Sequence, residues 1–147
     1  MNINLNQLGG TNHEATKLRM PTSLVVFWMG ISLTFAGLTG DLSPNHVDEQ
    51  YMRTTTYGRR IAHGALLVGL MSNASTKIIT DLPGTIVSYG YDRIRFPAPC
   101  FLGDTVTVTY EIVERDEAAR KTFARVTCTT ERGDVVAAAT HILKVVE

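Results

Sequence analysis

The sequence predicts an α+β domain in which a curved antiparallel sheet wraps around one buried helix. Two observations predict it. Apolar residues recur at helical spacing over Ile61–Ile78, and the period changes to two from residue 85 onward. The 147 residues suit one domain, which we place at residues 21–147, after a loose polar arm at residues 1–20.

The central helix is predicted from its composition as well as its spacing. Between Ile61 and Ile78, apolar residues repeat every three or four positions and also fill much of the remaining surface. A helix that is apolar nearly all round is expected to be buried. The dipeptide Pro83-Gly84 then interrupts the chain.

The strands are predicted from alternation of apolar and polar residues, with turn residues between them. The segments with this pattern are Val87–Tyr91, Val106–Ile112, Ala124–Cys128 and Val135–Val145. An earlier strand is predicted at Leu24–Trp28. Ile31–Leu38 has helical spacing, although it could also continue that strand. A short helix is predicted at Val47–Arg53 and a loop at Gly40–Pro44.

Composition excludes several classes of protein. Lysine plus arginine equals aspartate plus glutamate, 14 each, which argues against nucleic-acid binding. The apolar stretch Leu24–Leu38 has 15 residues, fewer than the roughly 20 that cross a bilayer, and no signal peptide is evident. The two cysteines, Cys100 and Cys128, form neither a disulfide framework nor a metal-ligand pattern, so we expect buried thiols in a cytoplasmic protein.

Asp41 and His46 are the first candidates for chemistry. They lie five residues apart on a loop interrupted by Pro44, so the fold of that loop decides their distance. An aspartate and a histidine can hold a water molecule between them and exchange protons with it, as the addition of water to a conjugated double bond requires. The spacing equally allows an aspartate that caps a turn and a structural histidine.

The segment Ile61-Ala62-His63-Gly64 opens the predicted central helix. Free N–H groups and the helix dipole stabilise negative charge there, so a thioester carbonyl at this end would be polarised as in an oxyanion hole. Gly64 would let a ligand approach the backbone closely, although it also suits tight packing alone. A structural role is the more common one for a histidine such as His63.

Other polar residues suit supporting roles. Ser72, two turns beyond Gly64, either hydrogen-bonds an active-site carboxylate or bonds back within its helix, and the spacing favours the helix. The pairs Arg59-Arg60 and Arg93/Arg95 are candidates for the phosphates of a coenzyme, although a solvated strand face is commoner.

Three ordered blocks resemble the MaoC-like family of hot-dog proteins, particularly its (R)-specific enoyl-CoA hydratases. They are Phe35–Asp48, with Thr39-Gly40-Asp41-Leu42-Ser43-Pro44-Asn45-His46, Arg60–Leu67, with Ala62-His63-Gly64, and Phe96–Thr105, with Pro99 and Gly103-Asp104. Ser43, Ala65 and Cys100 stand where the family usually has Asn, Met and Val, which concerns the shape of the pocket.

The resemblance implies a hot-dog fold and a homodimer, or a larger assembly of dimers, with active sites near the subunit interface. Asp41 and His46 would activate water, Gly64 would supply the oxyanion-hole N–H, and Ser72 would support Asp41. His63 joins the four arginines as a candidate for substrate binding.

The function that the resemblance implies is a hydro-lyase that converts trans-2-enoyl-CoA to (R)-3-hydroxyacyl-CoA, reversibly. We expect no metal and no cofactor besides the thioester substrate, carried on coenzyme A or on acyl carrier protein. The alternatives are a hot-dog acyl-CoA thioesterase and a non-catalytic acyl-CoA binding module.

Overall fold

An antiparallel sheet and a long helix form the body of the protein in the computed structural model, which describes residues 17–22, 28–80 and 82–146. In chain order its elements are β1 (Lys17–Thr22), α1 (Trp28–Thr39), α2 (Pro44–Val47), α3 (Glu49–Arg53), α4 (Gly64–Ile79), β2 (Ile86–Arg95), β3 (Val106–Asp116), β4 (Lys121–Thr130) and β5 (Val135–Val145). The order in the sheet is β1-β3-β4-β5-β2, with every neighbouring pair antiparallel.

The core lies between the sheet and one face of α4. Leu67, Met71 and Ala74 of that helix are at most 2% exposed, and they join a single cluster with the inward residues of β3 and β4, such as Val108 and Val126. The alternation predicted for these strands is confirmed, because inward positions are buried and outward ones are mostly not.

Helix α4 differs from its prediction in two ways. It begins at Gly64, because Ile61 forms a β-bridge with Phe101 and the Ala62 N–H donates to the Cys100 carbonyl at 2.7 Å. The prediction that α4 is buried on all sides is also wrong for the single chain. One sheet covers only one face of a helix, and Ala65 is exposed on the outward side.

Two short helices replace the one predicted over Val47–Arg53. Asp48 has φ −108° and ψ 103°, which ends α2 and begins α3. Its side chain accepts a hydrogen bond from the Tyr51 N–H at 2.9 Å and so caps α3. The helix predicted at Ile31–Leu38 is confirmed within α1.

The prediction of a loose arm at residues 1–20 is wrong for its last four residues. Residues 17–20, which we assigned to a loose arm, belong to β1, which pairs with β3 from Lys17 opposite Glu111 to Thr22 opposite Val106. Residues 1–16, and 24–27 of the predicted strand, lie outside the described residues, while Trp28 begins α1.

None of the helices within the described ranges is both long and apolar enough to cross a membrane. Cys100 and Cys128 are buried free thiols, as predicted.

Candidate active site

His46 is held with one ring nitrogen free to act as a base. It lies on α2, is 8% exposed, and its Nδ1 is 2.9 Å from the Ile61 carbonyl oxygen. Because a carbonyl only accepts, Nδ1 carries the hydrogen and the neutral ring keeps its lone pair on Nε2. The Asn45 side-chain nitrogen lies 3.3 Å from Nε2 and can donate to it.

Asp41 brings a carboxylate to the same place. It follows the turn at Gly40, whose φ of +76° favours glycine, and its side chain is 51% exposed. One Asp41 carboxylate oxygen and one ring nitrogen of His46 lie within 4.8 Å of each other. Two hydrogen bonds of about 2.8 Å meeting at a tetrahedral water span about 4.6 Å, which lies within this limit. The predicted pair is therefore brought together.

Gly64 is the first residue of α4, and the N–H groups of this first turn lack a side-chain cap, because His63 at the N-cap position makes no such bond. A β-carbon on Gly64 would lie 2.8 Å from the Phe96 ring, so a larger residue here would have to displace that half-exposed side chain. The structure is compatible with both explanations given for Gly64: close approach of a ligand to uncapped N–H groups, and close packing around its Cα.

A cleft of about 370 Å³ runs past His46 and Gly64. Its buried lining includes Leu67, Cys100 and Val136, which make an apolar wall. Exposed aromatic side chains, Tyr57 and Phe96, line it as well. An apolar cleft with a basic imidazole and unpaired N–H groups suits an acyl thioester.

His63 lies beside the pair and contacts the protein on every side. Its ring stacks on that of His46, with centroids 3.8 Å apart and planes 24° apart, and it is 1% exposed. Its Nε2 is 3.1 Å from the Asp41 carbonyl oxygen, and its Nδ1 is 3.3 Å from Ser32 Oγ. His63 therefore binds the protein with both nitrogens, which argues against its predicted contact with substrate.

Asp41, His46 and His63 also form the cluster with the best arrangement for a metal among the described residues, with one ligand atom each within 4.8 Å. The hydrogen bond to a carbonyl oxygen places a hydrogen on Nε2 of His63. A metal would have to displace that bond, and Asp41 and His46 alone would offer two ligands, fewer than the three that catalytic zinc sites commonly take from protein. The donor set fits a water-binding pair better than a metal centre.

Ser72 lies away from the pair. The described residues contain no hydrogen bond between Ser72 and Asp41, so the support predicted for Asp41 is not seen. Burial raises the pKa of the Tyr91 hydroxyl, and the neighbouring Ser72 and Ser88 side chains oppose that rise. Ser72 is thus a neighbour of the Tyr91 phenol, while the serine that reaches Asp41, through His63, is Ser32.

Two of the predicted phosphate contacts already have acidic partners. The Arg59 guanidinium is 3.8 Å from Asp104 and lies 4.2 Å above the Phe101 ring, while half of its side chain stays exposed. Arg60 Nε is 3.1 Å from Glu49. These arginines hold the chain before α4, and Arg59 alone keeps substantial exposure.

Arg93 and Arg95 do not alternate on one face as predicted. The pairing of β2 with β5 shifts between Asp92 and Arg95, and Arg93 has φ +55°, so a bulge interrupts the alternation. Both arginines are exposed, and Arg95 precedes the cleft residue Phe96. They remain candidates for a charged substrate group.

Some residues of the site were missed by the sequence analysis. Asn45 and Phe96 stand inside the blocks that carry the resemblance, so their positions offered a signal. The sequence around Ser32 gave no such signal, because a single serine in an apolar segment is common in ordinary helices.

The strand order and the long helix define a hot-dog fold, as predicted. The solved structure of an (R)-hydratase from A. caviae involved in PHA biosynthesis matches with a TM-score of 0.79 and 24% identity, over 93% of this chain and 99% of that one. The R-hydratase PhaJ1 from Pseudomonas aeruginosa matches with a TM-score of 0.70 and 27% identity, over 90% of this chain and 79% of that one.

The family model of the MaoC like domain matches residues 19–133, and the chain belongs to this family. It is 40% identical over 95 residues to the (R)-specific enoyl-CoA hydratase of Rhodospirillum rubrum, covering 65% of this chain and 64% of that protein. It is 39% identical over 102 residues to the 3-hydroxybutyryl-CoA dehydratase of Methylorubrum extorquens, covering 69% and 62%. The matched part thus spans a little under two thirds of each relative.

Proposed function

We propose that the protein is a hydro-lyase that adds water reversibly to trans-2-enoyl thioesters to form (R)-3-hydroxyacyl thioesters. The observation that carries this proposal is the cleft that brings His46 and the start of α4 together, with the Asp41 carboxylate within 4.8 Å of the His46 ring. The names of the two relatives, a hydratase and a dehydratase of CoA thioesters, describe the two directions of this reaction.

In the proposed mechanism one water molecule supplies both new groups. The water lies between the Asp41 carboxylate and the lone pair on His46 Nε2. Its oxygen bonds to C3 of the enoyl group, one O–H bond breaks, and that proton passes to the pair. The electrons of the double bond move to the thioester oxygen, and the proton returns to C2 as the carbonyl reforms.

The thioester oxygen carries negative charge between these two steps. We place this oxygen at the first turn of α4, where the Gly64 N–H and the helix dipole stabilise it. Removal of a single oxyanion donor commonly costs a hundredfold or more in rate, so this terminus contributes to catalysis on the same scale as the acid/base pair.

The test is hydration of crotonyl-CoA by Asp41→Asn and His46→Gln, followed by the loss of ultraviolet absorbance of the conjugated thioester. We expect each variant to lose at least about a hundredfold in kcat, since general acid/base catalysis contributes 10² to 10⁴-fold. The control is Glu117→Gln, which also replaces a carboxylate by an amide but at an exposed residue of the β3–β4 turn. It should leave kcat unchanged. Near wild-type turnover in both site variants contradicts the proposal.

Two further readouts separate this reaction from its rivals. The product should be oxidised by an (R)-specific and not by an (S)-specific 3-hydroxyacyl-CoA dehydrogenase. Release of free thiol without hydration would indicate the thioesterase, and tight acyl-CoA binding without turnover would indicate the binding module.

We propose coenzyme A as the carrier of the acyl group, with acyl carrier protein as the other carrier to test. Arg93 and Arg95 are exposed on β2, Arg95 immediately precedes the cleft residue Phe96, and guanidinium groups suit the phosphates of a coenzyme. We also propose that the reaction needs no metal or cofactor, which the hydrogen bonds of His63 support.

We propose a homodimer, or an assembly built from dimers, in the cytoplasm. Among the described strands, β2 pairs only with β5, so its other edge offers unpaired backbone groups. A second copy would cover such an edge. Free buried thiols suit a reducing compartment. Light scattering tests the mass in solution.

A further inference from the structure

Ser32 is a buried polar residue for which the proposed mechanism has no task. It lies on α1, is 1% exposed, and its Oγ is 3.3 Å from Nδ1 of His63. The other nitrogen of His63 is 3.1 Å from the backbone oxygen of Asp41. A chain of two hydrogen bonds therefore runs from α1, through the N-cap of α4, to the backbone of the residue that carries the carboxylate.

The direction of these bonds follows from what each atom can do. The Asp41 carbonyl oxygen only accepts, so Nε2 of His63 carries a hydrogen. In the neutral ring Nδ1 then holds the lone pair, and the hydroxyl of Ser32 donates to it. The opposite tautomer would aim a lone pair at the carbonyl oxygen, which repels it. Ser32 thus favours the one tautomer of His63 that binds the loop.

His63 does not bind the carboxylate itself. Asp41 Oδ2 lies 4.0 Å from Nε2 of His63, beyond hydrogen-bond distance, while the backbone oxygen of the same residue is bound. His63 therefore holds the loop by its main chain. The carboxylate accepts one hydrogen bond, from the Ser43 N–H to Oδ1 at 3.4 Å, and Oδ2 keeps lone pairs for water.

His63 also fixes its neighbour in the pair. The His63 ring stacks on the His46 ring with centroids 3.8 Å apart. The Phe35 ring also packs against the His63 ring, with centroids 5.0 Å apart. The His46 ring is thus held by stacking and by its hydrogen bond to Ile61.

We propose that Ser32 and His63 are positioning residues for hydration: Ser32 sets the tautomer of His63, and His63 holds the Asp41 backbone and the His46 ring at the spacing that one water bridges. The inference rests on the function proposed above. Neither residue exchanges protons with the substrate, because both nitrogens of His63 are engaged within the protein. Their loss should lower kcat while leaving KM nearly unchanged.

The first experiment compares Ser32→Ala with Ser75→Ala. Ser75 is a matched control, because it is also buried in a helix, 3% exposed, and its Oγ donates to the Ser72 carbonyl, away from the pair. We expect Ser32→Ala to lower kcat for crotonyl-CoA about tenfold, the effect of one lost hydrogen bond, with KM within about twofold. Ser75→Ala should keep wild-type kcat, and Ser32→Thr, which retains the hydroxyl, should restore most of it.

The second readout is the nitrogen-15 NMR spectrum of the histidine rings, which reports the tautomer directly. In the wild type His63 should carry its hydrogen on Nε2, and in Ser32→Ala the two tautomers should mix. Wild-type kcat in Ser32→Ala, an equal loss in Ser75→Ala, or His63 with its hydrogen on Nδ1 in the wild type would each overturn the inference. If the wild-type chain hydrates no enoyl-CoA, the proposed function fails, and the NMR spectrum still tests the hydrogen bonds of His63.

Discussion

His141 gives the protein a stability that depends on pH. It is 0% exposed on β5, with Nδ1 2.8 Å from the Tyr110 hydroxyl and Nε2 2.8 Å from Ser88 Oγ, and it stacks on Tyr91. Burial lowers the pKa of His141 to about 4 from its ordinary value of 6.5. The fold therefore holds a neutral imidazole.

The sign and size of the effect follow from linkage. The unfolded chain binds the proton more readily, so the stability is present above pH 6.5 and is lost as the pH falls toward 4. For these two pKa values the loss between pH 7 and pH 5 is about 2 kcal/mol, and it approaches about 3 kcal/mol at lower pH. A typical domain has 5–15 kcal/mol in total, so this one group matters.

The assay is urea unfolding at pH 7, 6 and 5, at one protein concentration, with His141→Gln beside the wild type. The variant loses hydrogen bonds to Tyr110 and Ser88 and should be less stable at pH 7 by roughly 1–3 kcal/mol. The two proteins should then converge by about 2 kcal/mol as the pH falls to 5. Other titrating groups are shared and cancel, so parallel curves from pH 7 to pH 5 would refute the reasoning.

Three other outcomes are expected. Gly64→Ala should lower both Tm and kcat/KM, because its Cβ would lie 2.8 Å from the Phe96 ring. Adding Phe96→Ala should restore the Tm. A double variant that melts as low as the single variant contradicts this contact. Burial raises the pKa of the Cys100 and Cys128 thiols to about 12 each, so a thiol reagent at pH 8 should label them only on unfolding, and rapid labelling of the native protein would show that they are accessible. Hydratase activity should survive dialysis against a chelator; a loss restored by one divalent metal would instead place a metal at the Asp41–His46–His63 cluster.

The alternation in β3 and β4 was predictable because a half-buried strand exposes alternate side chains and its residues alternate accordingly. In β2 the same pattern was misleading, since Val87 and Tyr89 are exposed. The helix start was less predictable. Ile61 is apolar and fits the helical spacing, but its pairing with Phe101 keeps it extended, so α4 begins at Gly64. Pairing with a segment 40 residues away is not visible in a local period.

The first strand was missed for a similar reason. Lys17–Thr22 is short and carries charged residues and a proline, which predict no strand by themselves. It is nonetheless a strand because the edge of β3 offers it hydrogen-bond partners. Likewise the bulge at Arg93 depends on the pairing of β2 with β5 and could not be read from alternating residues.

Periodicity and ordered motifs are properties of local residues, so the α+β class and the family could be read along the chain, and so could Asp41 and His46 as candidates. How those two side chains are held depends on contacts between distant segments. Ser32 and Asp41 lie on opposite sides of the His63 ring, which is 31 residues from one and 22 from the other, and only packing of α1 against the start of α4 joins them. Hydrogen-bond direction then sets the tautomer of each ring: His63 is bound through both nitrogens, and His46 keeps its lone pair on Nε2.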